Sequence, residues 1–537
     1  MTLDLIIKGG TIFDGSGSEP FSGDIGIVGD QIVAVGPVDD NALAHKTIEA
    51  SGLAVAPGFI NMLSHSYFSI LHDPRSLGEL KQGVTTQIMG EGESMGPLTD
   101  SMKDHLVTLT GALDIACSWT RLSEYLSHVE KRGCSQNVAS FIGAATLRIN
   151  AVGYENRPAT KAELDKMKSL ADEEMAEGAL GIGTALIYPP GNFAPTEELI
   201  ELCKVAARYR GKYISHLRSE GNEFLEGLAE LLKISRTAEI PAHVWHLKAA
   251  GKRNWDKMDQ AIHIIEEARA AGEPITADLY PYIAGGTALA SAIPPRFHEG
   301  GSEKLLERLG DPDQRAQIRK AIEESDDGWE NLYKGVAGPE GILILGAPTP
   351  ELKSIEGSTL ADVAASRGTD PIEVLMDLVV EGSARIFAAY FMMSEGNLVK
   401  QMQLPWVSFC SDAPSMSPEG RFLESSTHPR SYGTFARILG KYVREEKVVS
   451  LPEAIRRLTS LPADTLELDR RGRLGEGYFA DLVIFDPATI ADKATFESPH
   501  QFAVGVRDVI VNGKPALKGG EFTGDFGGRA LFGPGKR

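Results

Sequence analysis

The two ends of the chain carry short apolar runs separated by glycine-containing turns. Within residues 1–55, turns such as Gly9-Gly10 separate the runs from one another. Residues 478–517 repeat this pattern, with an apolar run at Asp481–Phe485. Runs of this length bounded by glycine predict strands and hairpins. We therefore expect the two ends to meet in one small sheet domain.

The centre of the chain alternates short apolar runs with segments of helical periodicity, such as Lys161–Glu177. This alternation predicts a parallel (β/α)8 barrel, an α/β fold. A doubly wound sheet is the alternative, but it would need a glycine fingerprint after its first strand, and the sequence has none there. The predicted barrel strands are Leu53–Ile60, Thr85–Met89, Val138–Ile142, Leu180–Ile187, Tyr213–His216, Ala242–His246, Ile275–Leu279 and Trp406–Cys410.

These patterns divide the chain into a barrel and a smaller domain. Residues 56–474 are expected to form the barrel, and residues 1–55 and 475–537 the small domain. Residues 285–400 exceed the length of one strand–helix unit and include charged, irregular stretches such as Asp311–Glu330. We interpret them as the seventh helix plus an insertion over the barrel mouth.

Composition narrows the class of protein. The 537 residues include 54 Lys and Arg against 74 Asp and Glu, a net charge of −20. Such an acidic chain is a poor binder of nucleic acid or anionic membranes. It contains no apolar run of roughly 18 residues and no basic leader with a long apolar core. Four scattered cysteines are typical of a reduced cytoplasm. We expect a cytoplasmic protein with a small-molecule partner; its oligomeric state is open, and a homo-oligomer is compatible.

Polar side chains follow most of the predicted strands. In a (β/α)8 barrel the C-terminal ends of the strands meet at one mouth, where catalytic groups gather. Imidazole and carboxylate groups are common zinc ligands, and a catalytic zinc keeps one coordination position open for water. The sequence therefore predicts a metal site at this mouth. The strand-end residues are His65, Glu91, Tyr188, His216, His246, Ser411 and Asp412.

Each strand-end residue also has a structural interpretation. A single strand-end histidine is more often a hydrogen-bonded structural residue, but His216 and His246 end consecutive strands, which favours a shared site. Glu91 lies in a glycine-rich turn that could simply be solvated, and Ser411-Asp412 could begin a helix cap. Lys248 shares a strand face with His246 but could equally be a solvated loop lysine.

Several segments resemble a known family. Ala56–Asn61 is similar to the strand-1 signature of the amidohydrolase superfamily, a Pro-Gly-Phe-Ile-Asp sequence followed by His-x-His. The closer resemblance is to the D-aminoacylase (N-acyl-D-amino-acid deacylase) family, and it runs almost end to end. The segments that carry it are Ser215–Gly221, His246–Lys248, Ala277–Tyr282, Ser411-Asp412, His428–Arg437, Thr459–Ala463, Gly477–Val483 and Val511–Gly513.

This resemblance implies a metal-dependent barrel with a β-sandwich domain built from both termini. It implies that His216 and His246 are metal ligands and that Asp412 is the general acid/base. It suggests Lys248 and Tyr282 as substrate-binding residues. Arg218 is a further candidate donor near the mouth, with an ion pair to Glu220 as its structural alternative. Tyr188 is a candidate to assist the oxyanion.

Two departures from the family pattern change the expected ligand set. The His-x-His motif is present here as Leu63-Ser64-His65, so its first histidine is missing. The strand-2 cysteine ligand of the family aligns with Glu91. A carboxylate is a competent ligand, so one zinc site is expected from Glu91, His216 and His246. A second site would need both strand-1 histidines and is expected to be lost. His65 then serves as a partial ligand or hydrogen-bonds the water or the substrate.

The predicted function is hydrolysis of a C–N amide bond. The expected substrate is an N-acyl-D-amino acid or a related N-acyl amine, cleaved by a metal-activated water with Asp412 moving the proton. Three alternatives stay open: a hydrolase of cyclic amides such as lactams or hydantoins, an inactive paralogue that binds small molecules, and a deaminase of aminated heterocycles. The sequence leaves the acyl chain, the side chain and the stereochemistry undetermined.

Overall fold

The computed structural model describes residues 2–38, 43–109, 117–324, 328–336 and 338–536. Within them, strands and helices alternate to form a barrel of eight parallel strand positions, which confirms the predicted fold class. The third position is divided at Phe141. The strands are Phe59–Asn61, Val84–Met89, Asn137–Ser140 with Ile142–Gly143, Gly181–Ala185, Lys212–His216, Ala242–Val244, Ile275–Leu279 and Val407–Phe409.

Helices cover the outside of this barrel, so its strands are buried on both faces and read as continuous apolar runs. One of them starts at Thr160, which forms a capping box with Glu163. The helices of the barrel are Ser69–His72, Leu77–Leu80, Asp100–Leu109, Leu122–Arg132, Ala144–Ala151, Lys161–Ala176, Thr196–Ala207, Phe224–Ala238, Lys257–Ala270, Glu395–Met402, Arg430–Arg437 continued by the π-helix Ile438–Glu445, Leu451–Leu458 and Ser460–Leu466.

The barrel closes between its first and eighth strands. Ser64 and Ala413 form a parallel bridge. The Asp412 N–H donates to Leu63 O at 3.0 Å, and the His65 N–H donates to Ala413 O at 3.1 Å. Because these bonds join the residues directly after each strand, closure of the barrel sets His65 beside Asp412.

Strands from both ends of the chain form a second sheet. Ala54–Pro57 lies between the N-terminal strands and the C-terminal ones, parallel to Leu3–Ile12 and antiparallel to Leu482–Phe485. The described members of this sheet are Leu3–Ile12, Phe21–Val28, Gln31–Gly36, Ala44–Glu49, Ala54–Pro57, Leu482–Phe485, Val506–Val511, Lys514–Lys518 and Glu521–Phe522.

The predicted first barrel strand, Leu53–Ile60, is therefore wrong as a single element. It divides at Gly58, and only the second half belongs to the barrel. A Cβ at Gly58 would meet the side chain of Thr85 at 2.2 Å, so only glycine fits between the two halves. The run is apolar along its whole length because both halves are buried, one in each sheet.

The segment after the seventh strand forms a small unit of its own over the barrel mouth. Its antiparallel sheet has Phe387–Phe391 in the middle, with Ala284–Ala288 on one side and Ile342–Gly346 on the other. The helices packed around it are Ser302–Gly310, Pro312–Glu324, Leu332–Gly335, Leu360–Arg367 and Pro371–Glu381. In the described parts of the chain, we find no helix with the length and apolar character needed to span a membrane.

A buried polar network fixes the end of the eighth strand. Asn61 donates to Glu79 Oε1 and to Ser411 Oγ, both at 2.7 Å, and accepts from the Ser411 N–H at 2.9 Å. Glu79 is fully buried. Burial raises its pKa to about 8, against hydrogen bonds from Ser411 and Asn61 that lower it. The carboxyl group is therefore neutral at pH 7 in the folded protein.

The free energy of unfolding should decrease as the pH rises, because Glu79 keeps its proton in the folded protein but loses it in the unfolded chain. In the unfolded chain this group ionises near pH 4.5, whereas in the folded protein it keeps its proton up to about pH 8. Between those values the unfolded state alone releases the proton, so the free energy of unfolding decreases with pH. We expect Glu79→Gln to remove about 3 kcal/mol of this decline between pH 5 and 8, measured by urea unfolding. The exposed Glu351→Gln is the control; equal pH profiles for wild type and Glu79→Gln would contradict a neutral Glu79.

Candidate metal centre

A cavity of about 270 Å³ lies between the C-terminal ends of the barrel strands and the small unit above them. The barrel contributes most of the polar lining, and the unit above contributes mainly glycine and apolar residues, with Thr287 and Glu330. Barrel residues at the wall are His65, Glu91, Tyr188, His216, Glu220, His246, Lys248, Tyr280, Asp412 and Arg430. Residues from above are Gly285, Gly286, Thr287, Ala288, Glu330, Leu332, Phe387 and Met392.

Glu91 lies at the centre of the polar wall. Its Oε1 is 3.0 Å from Nδ1 of His216 and 3.0 Å from Nε2 of His246. Its Oε2 is 3.1 Å from Nε2 of His65. The side chain is only 6% exposed, so these contacts form away from bulk water. The structure thus brings three predicted histidines, His65, His216 and His246, around the Glu91 carboxylate. The predicted Asp412 lies next to them, in contact with His65.

Left-handed backbone positions turn two of these side chains inward. His246 has φ of 36° and Asp412 has φ of 49°, conformations that cost on the order of 1–3 kcal/mol without glycine. The His246 N–H donates to the buried carboxylate of Asp278, which also lies 3.0 Å from Nε2 of His243. The Asp412 N–H is fixed by Leu63 O. These bonds hold both turns directly after their strands.

The donor set fits a divalent metal. The ligand atoms of Glu91, His216 and His246 all lie within 4.8 Å of one another. Zinc holds such atoms at about 2.0–2.2 Å, which places tetrahedral ligand atoms roughly 3.3 Å apart. The two 3.0 Å separations at Glu91 are close to that spacing. One carboxylate and two imidazoles also leave a position open, as catalytic zinc sites do.

Glu220 supports the same two histidines from the opposite side. Its Oε1 is 3.0 Å from Nδ1 of His246, and its Oε2 is 3.2 Å from Nε2 of His216, although that contact lacks hydrogen-bond geometry. Lys248 donates to both oxygens of Glu220 at 2.8 Å. Each imidazole therefore lies between Glu91 and Glu220. A carboxylate behind a metal-binding histidine fixes the ring orientation.

Asp412 connects the centre to a buried arginine. Its Oδ1 is 3.0 Å from Nε2 of His65, and its Oδ2 accepts a 2.6 Å hydrogen bond from Nη1 of Arg430. His65, Glu91 and Asp412 form a second group with ligand atoms within 4.8 Å. The Arg430 cation beside Asp412 opposes a second positive ion in that group.

Electrostatics of the cluster keep the carboxylates ionised. Burial would raise the pKa of Asp412, but Arg430 and His246 lower it to about 2. Burial would lower the pKa of His65, but Asp412 and Glu91 raise it to about 9. Burial and Lys248 act likewise to lower the pKa of His246, yet the carboxylates raise it to about 10. The cluster is therefore built for bound positive charge, as protons or as a metal ion.

Two predicted substrate-binding residues line the cavity. The ring of Tyr188 packs edge-on against His216, with centroids 5.5 Å apart. Lys248 reaches the cavity wall, but its amino group is occupied by Glu220 and also lies 2.6 Å from Nδ1 of His246. It is not the solvated lysine of the alternative interpretation.

Two other predicted substrate-binding residues are not brought to the cavity. Arg218 pairs with Glu230 at 2.8 and 2.9 Å and donates to two backbone carbonyls. Its structural alternative, an ion pair with Glu220, is not formed either, because Glu220 pairs with Lys248. Helix Phe224–Ala238 presents Glu230 to this arginine. Tyr282 has its hydroxyl 3.5 Å from Pro429 O and its ring packed on Arg437. The seventh strand ends at Leu279, so the alternation of side chains along a strand does not predict the direction of the Tyr282 side chain.

Sequence reasoning missed Glu220, Tyr280 and Arg430 as residues of the wall. Glu220 and Arg430 lie inside segments that carry the family resemblance, four residues after His216 and two after His428. Both could also be surface charges on sequence grounds. Their contacts join distant parts of the chain, which no local pattern reports.

A histidine–carboxylate cluster at the mouth of a (β/α)8 barrel defines the class of metal-dependent hydrolases. A family model described as the amidohydrolase family matches residues 46–516. The chain is 35% identical to the D-aminoacylase of Alcaligenes xylosoxydans xylosoxydans, over 98% of this chain and 97% of that one. It is 30% identical to the N-acyl-D-glutamate deacylase of the same organism, over 95% and 93% of the two chains.

Solved structures agree with this similarity. A D-aminoacylase structure described by its binuclear metal centre superposes with a TM-score of 0.81, at 32% identity over 99% of this chain and 100% of that one. The Bordetella bronchiseptica N-acyl-D-glutamate deacylase, solved with zinc and a phosphonate inhibitor, also gives 0.81, at 28% identity over the same shares. A Thermus D-hydantoinase, at 15% identity over 99% and 100% of the chains and TM-score 0.55, shares the fold. The chain belongs to the amidohydrolase family, which confirms the resemblance read from the sequence.

Loss of the Glu91 charge should release the metal. We expect Glu91→Gln to lower zinc content well below that of wild type after dialysis, measured by elemental analysis, because the amide is a poor ligand for a divalent ion. Glu93→Gln, two residues away and exposed, is the matched control and should keep wild-type zinc. Equal zinc in all three proteins would place the ion elsewhere.

Glu220 should strengthen zinc binding although it does not itself bind the ion. We expect Glu220→Gln to weaken zinc binding about 10–100-fold, because the histidine rings lose the carboxylate that orients them. Zinc affinity is measured by competition with a chromogenic chelator. The exposed Glu226→Gln, on the following helix, should bind zinc as wild type does. An unchanged affinity in Glu220→Gln would show that Glu91 alone orients the rings.

Proposed function

We propose that this protein is a zinc-dependent hydrolase that deacylates N-acyl-D-amino acids or closely related N-acyl amines. One observation carries the proposal: donors of Glu91, His216 and His246 converge at 3.0 Å spacing beside the ionised Asp412. Family membership places the reaction among hydrolases of carbon–nitrogen bonds other than peptide bonds. The names of the curated relatives supply the D-amino-acid substrate class.

Glu91, His216 and His246 would hold the ion. When bound, a divalent ion in this position supplies Lewis acidity, which lowers the pKa of water and polarises an amide carbonyl. We propose one ion per chain, because Leu63 stands at the position of the missing histidine and Arg430 neutralises Asp412 at 2.6 Å. Zinc suits the mixed imidazole and carboxylate set.

Asp412 is the group that moves the proton. It is anionic at neutral pH, so it accepts a proton from the attacking water. Once protonated, it returns the proton to the leaving nitrogen. His65, 3.0 Å away, keeps the carboxylate oriented and offers a positive charge to the developing oxyanion.

Arg430 is the group best suited to a substrate carboxylate. Its side chain is 4% exposed, lines the cavity and packs over the ring of Tyr280 at 4.8 Å. Its Nε is buried and has no hydrogen-bond partner among the described residues. A planar guanidinium suits bidentate recognition of a carboxylate, and this one stands at the cavity wall. Lys248, the residue suggested by the family resemblance, is paired with Glu220, as Arg430 is with Asp412.

Substrate class is tested with a panel of N-acetyl-D- and N-acetyl-L-amino acids, dihydrouracil, hydantoin and aminated heterocycles, with zinc supplied. We expect release of free amino acid from D-substrates only. Cleavage confined to the rings would favour the cyclic-amide alternative, and ammonia release would favour deamination. Stoichiometric zinc with no turnover of any substrate would favour a binding paralogue.

Asp412→Asn should abolish turnover while leaving the metal in place. We expect kcat to fall about 10²–10⁴-fold, because the amide cannot accept the proton, with zinc content equal to that of wild type. The exposed Asp165→Asn is the control variant. Retention of wild-type kcat by Asp412→Asn would exclude this residue as the general acid/base.

We also propose a cytoplasmic location. All four cysteines, Cys117, Cys134, Cys203 and Cys410, are free thiols, as expected in a reducing compartment.

A further inference from the structure

One strand of the small unit runs along the cavity wall with its outer edge unpaired by any described strand. Ala284–Ala288 pairs on one side only, with Phe387–Phe391. Gly285, Gly286, Thr287 and Ala288 all line the cavity, and the last three are partly exposed there. An edge strand presents backbone groups that can bind an extended ligand.

The register fixes which backbone groups face outward. In an antiparallel pair, alternate residues direct their N–H and C=O toward the partner strand. The Leu289 N–H donates to Ile386 O at 2.8 Å, in continuous register with Thr287 opposite Ala388 and Gly285 opposite Tyr390. The odd-numbered residues therefore bond to the partner strand. Gly286 and Ala288 direct their N–H and C=O to the outer edge.

Carbonyl groups on this outer edge already accept hydrogen bonds within the protein. Gly286 O accepts from Nη2 of Arg430 at 3.2 Å. Ala288 O accepts from the hydroxyl of Tyr390 at 3.3 Å. What the edge offers to a ligand is therefore its N–H groups, at Gly286 and Ala288. Donors of this kind select a ligand that carries carbonyl acceptors.

The edge lies next to the metal centre. One guanidinium, that of Arg430, bonds both Gly286 O and Asp412. Thr287 lines the same cavity as Tyr188, whose ring packs against His216. The two glycines leave room for neighbouring side chains: a Cβ on Gly285 would meet Met392 at 2.6 Å, and one on Gly286 would meet Phe387 at 2.9 Å.

We propose that the outward N–H of Ala288 binds a second carbonyl in the acyl part of the substrate, so that the preferred acyl group is peptide-like. This inference rests on the proposed deacylase function and names its acyl specificity. The outward N–H groups of Gly286 and Ala288 are about 6.8 Å apart, too far for one carbonyl to accept from both. A simple alkyl acyl group would leave the Ala288 donor without an acceptor.

Three D-leucine substrates with acyl chains of equal length test the proposal. N-acetylglycyl-D-leucine carries the second carbonyl in an amide, O-acetylglycoloyl-D-leucine carries it in an ester, and N-pentanoyl-D-leucine lacks it. We expect kcat/KM for release of D-leucine to be similar for the first two and about tenfold lower for the third, because the edge donates and does not need a ligand N–H.

Ala288→Pro removes one donor without a sheet hydrogen bond. Ala288 has φ of −63° and ψ of 141°, which proline adopts without strain, and Thr287 before it is extended. We expect the acetylglycyl-to-pentanoyl ratio of kcat/KM to fall toward one in this variant. Ala288→Ser keeps the N–H and should keep the ratio.

The outcomes separate this inference from the proposed function. Equal kcat/KM for all three substrates in the wild type, or a preference for the pentanoyl substrate, would overturn the edge-strand site and leave the deacylase function standing. Failure to cleave any of the three with zinc bound would overturn the deacylase function and the inference with it. A ratio unchanged by Ala288→Pro would exclude Ala288 as the donor.

Discussion

The contact on which this structure depends is the one between the buried Glu91 carboxylate and three imidazoles. Glu91 lies within 3.1 Å of His65, His216 and His246. A carboxylate buried to this degree is tolerated only with compensating positive charge. Burial opposes its ionisation, yet these three rings hold the pKa of Glu91 well below its usual range. The parallel barrel strands end at one mouth, which brings these rings together around Glu91.

Further ion pairs surround the Glu91 contacts. Glu220 and Lys248 lie behind His216 and His246, and Arg430 lies behind Asp412. In these pairs each charged group contacts one of opposite sign, which favours strong local fields in the cavity. Buried wall atoms without a hydrogen-bond partner among the described residues include Nε of Arg430 and Oε1 of Glu330.

The carboxylate at the end of the second barrel strand contacts several imidazoles at once. A glutamate supplies two oxygens where a thiolate supplies one sulfur, so Glu91 can face His65 with one oxygen while the other faces His216 and His246. The strand-1 resemblance aligns the first histidine of its motif with Leu63, which is fully buried. This position is core packing in the present chain.

Strand periodicity and strand-end chemistry are local, so the barrel, the sheet from both termini and the strand-end residues could be predicted from the sequence. The rule that parallel strands end together predicted one mouth for His65, Glu91, His216, His246 and Asp412. Other features could not be predicted in this way. The split at Gly58, the Arg218–Glu230 pair, the withdrawal of Tyr282 and the approach of Glu220 and Arg430 all depend on contacts between distant residues. Such contacts are set by packing in three dimensions, which leaves no periodic signal along the chain.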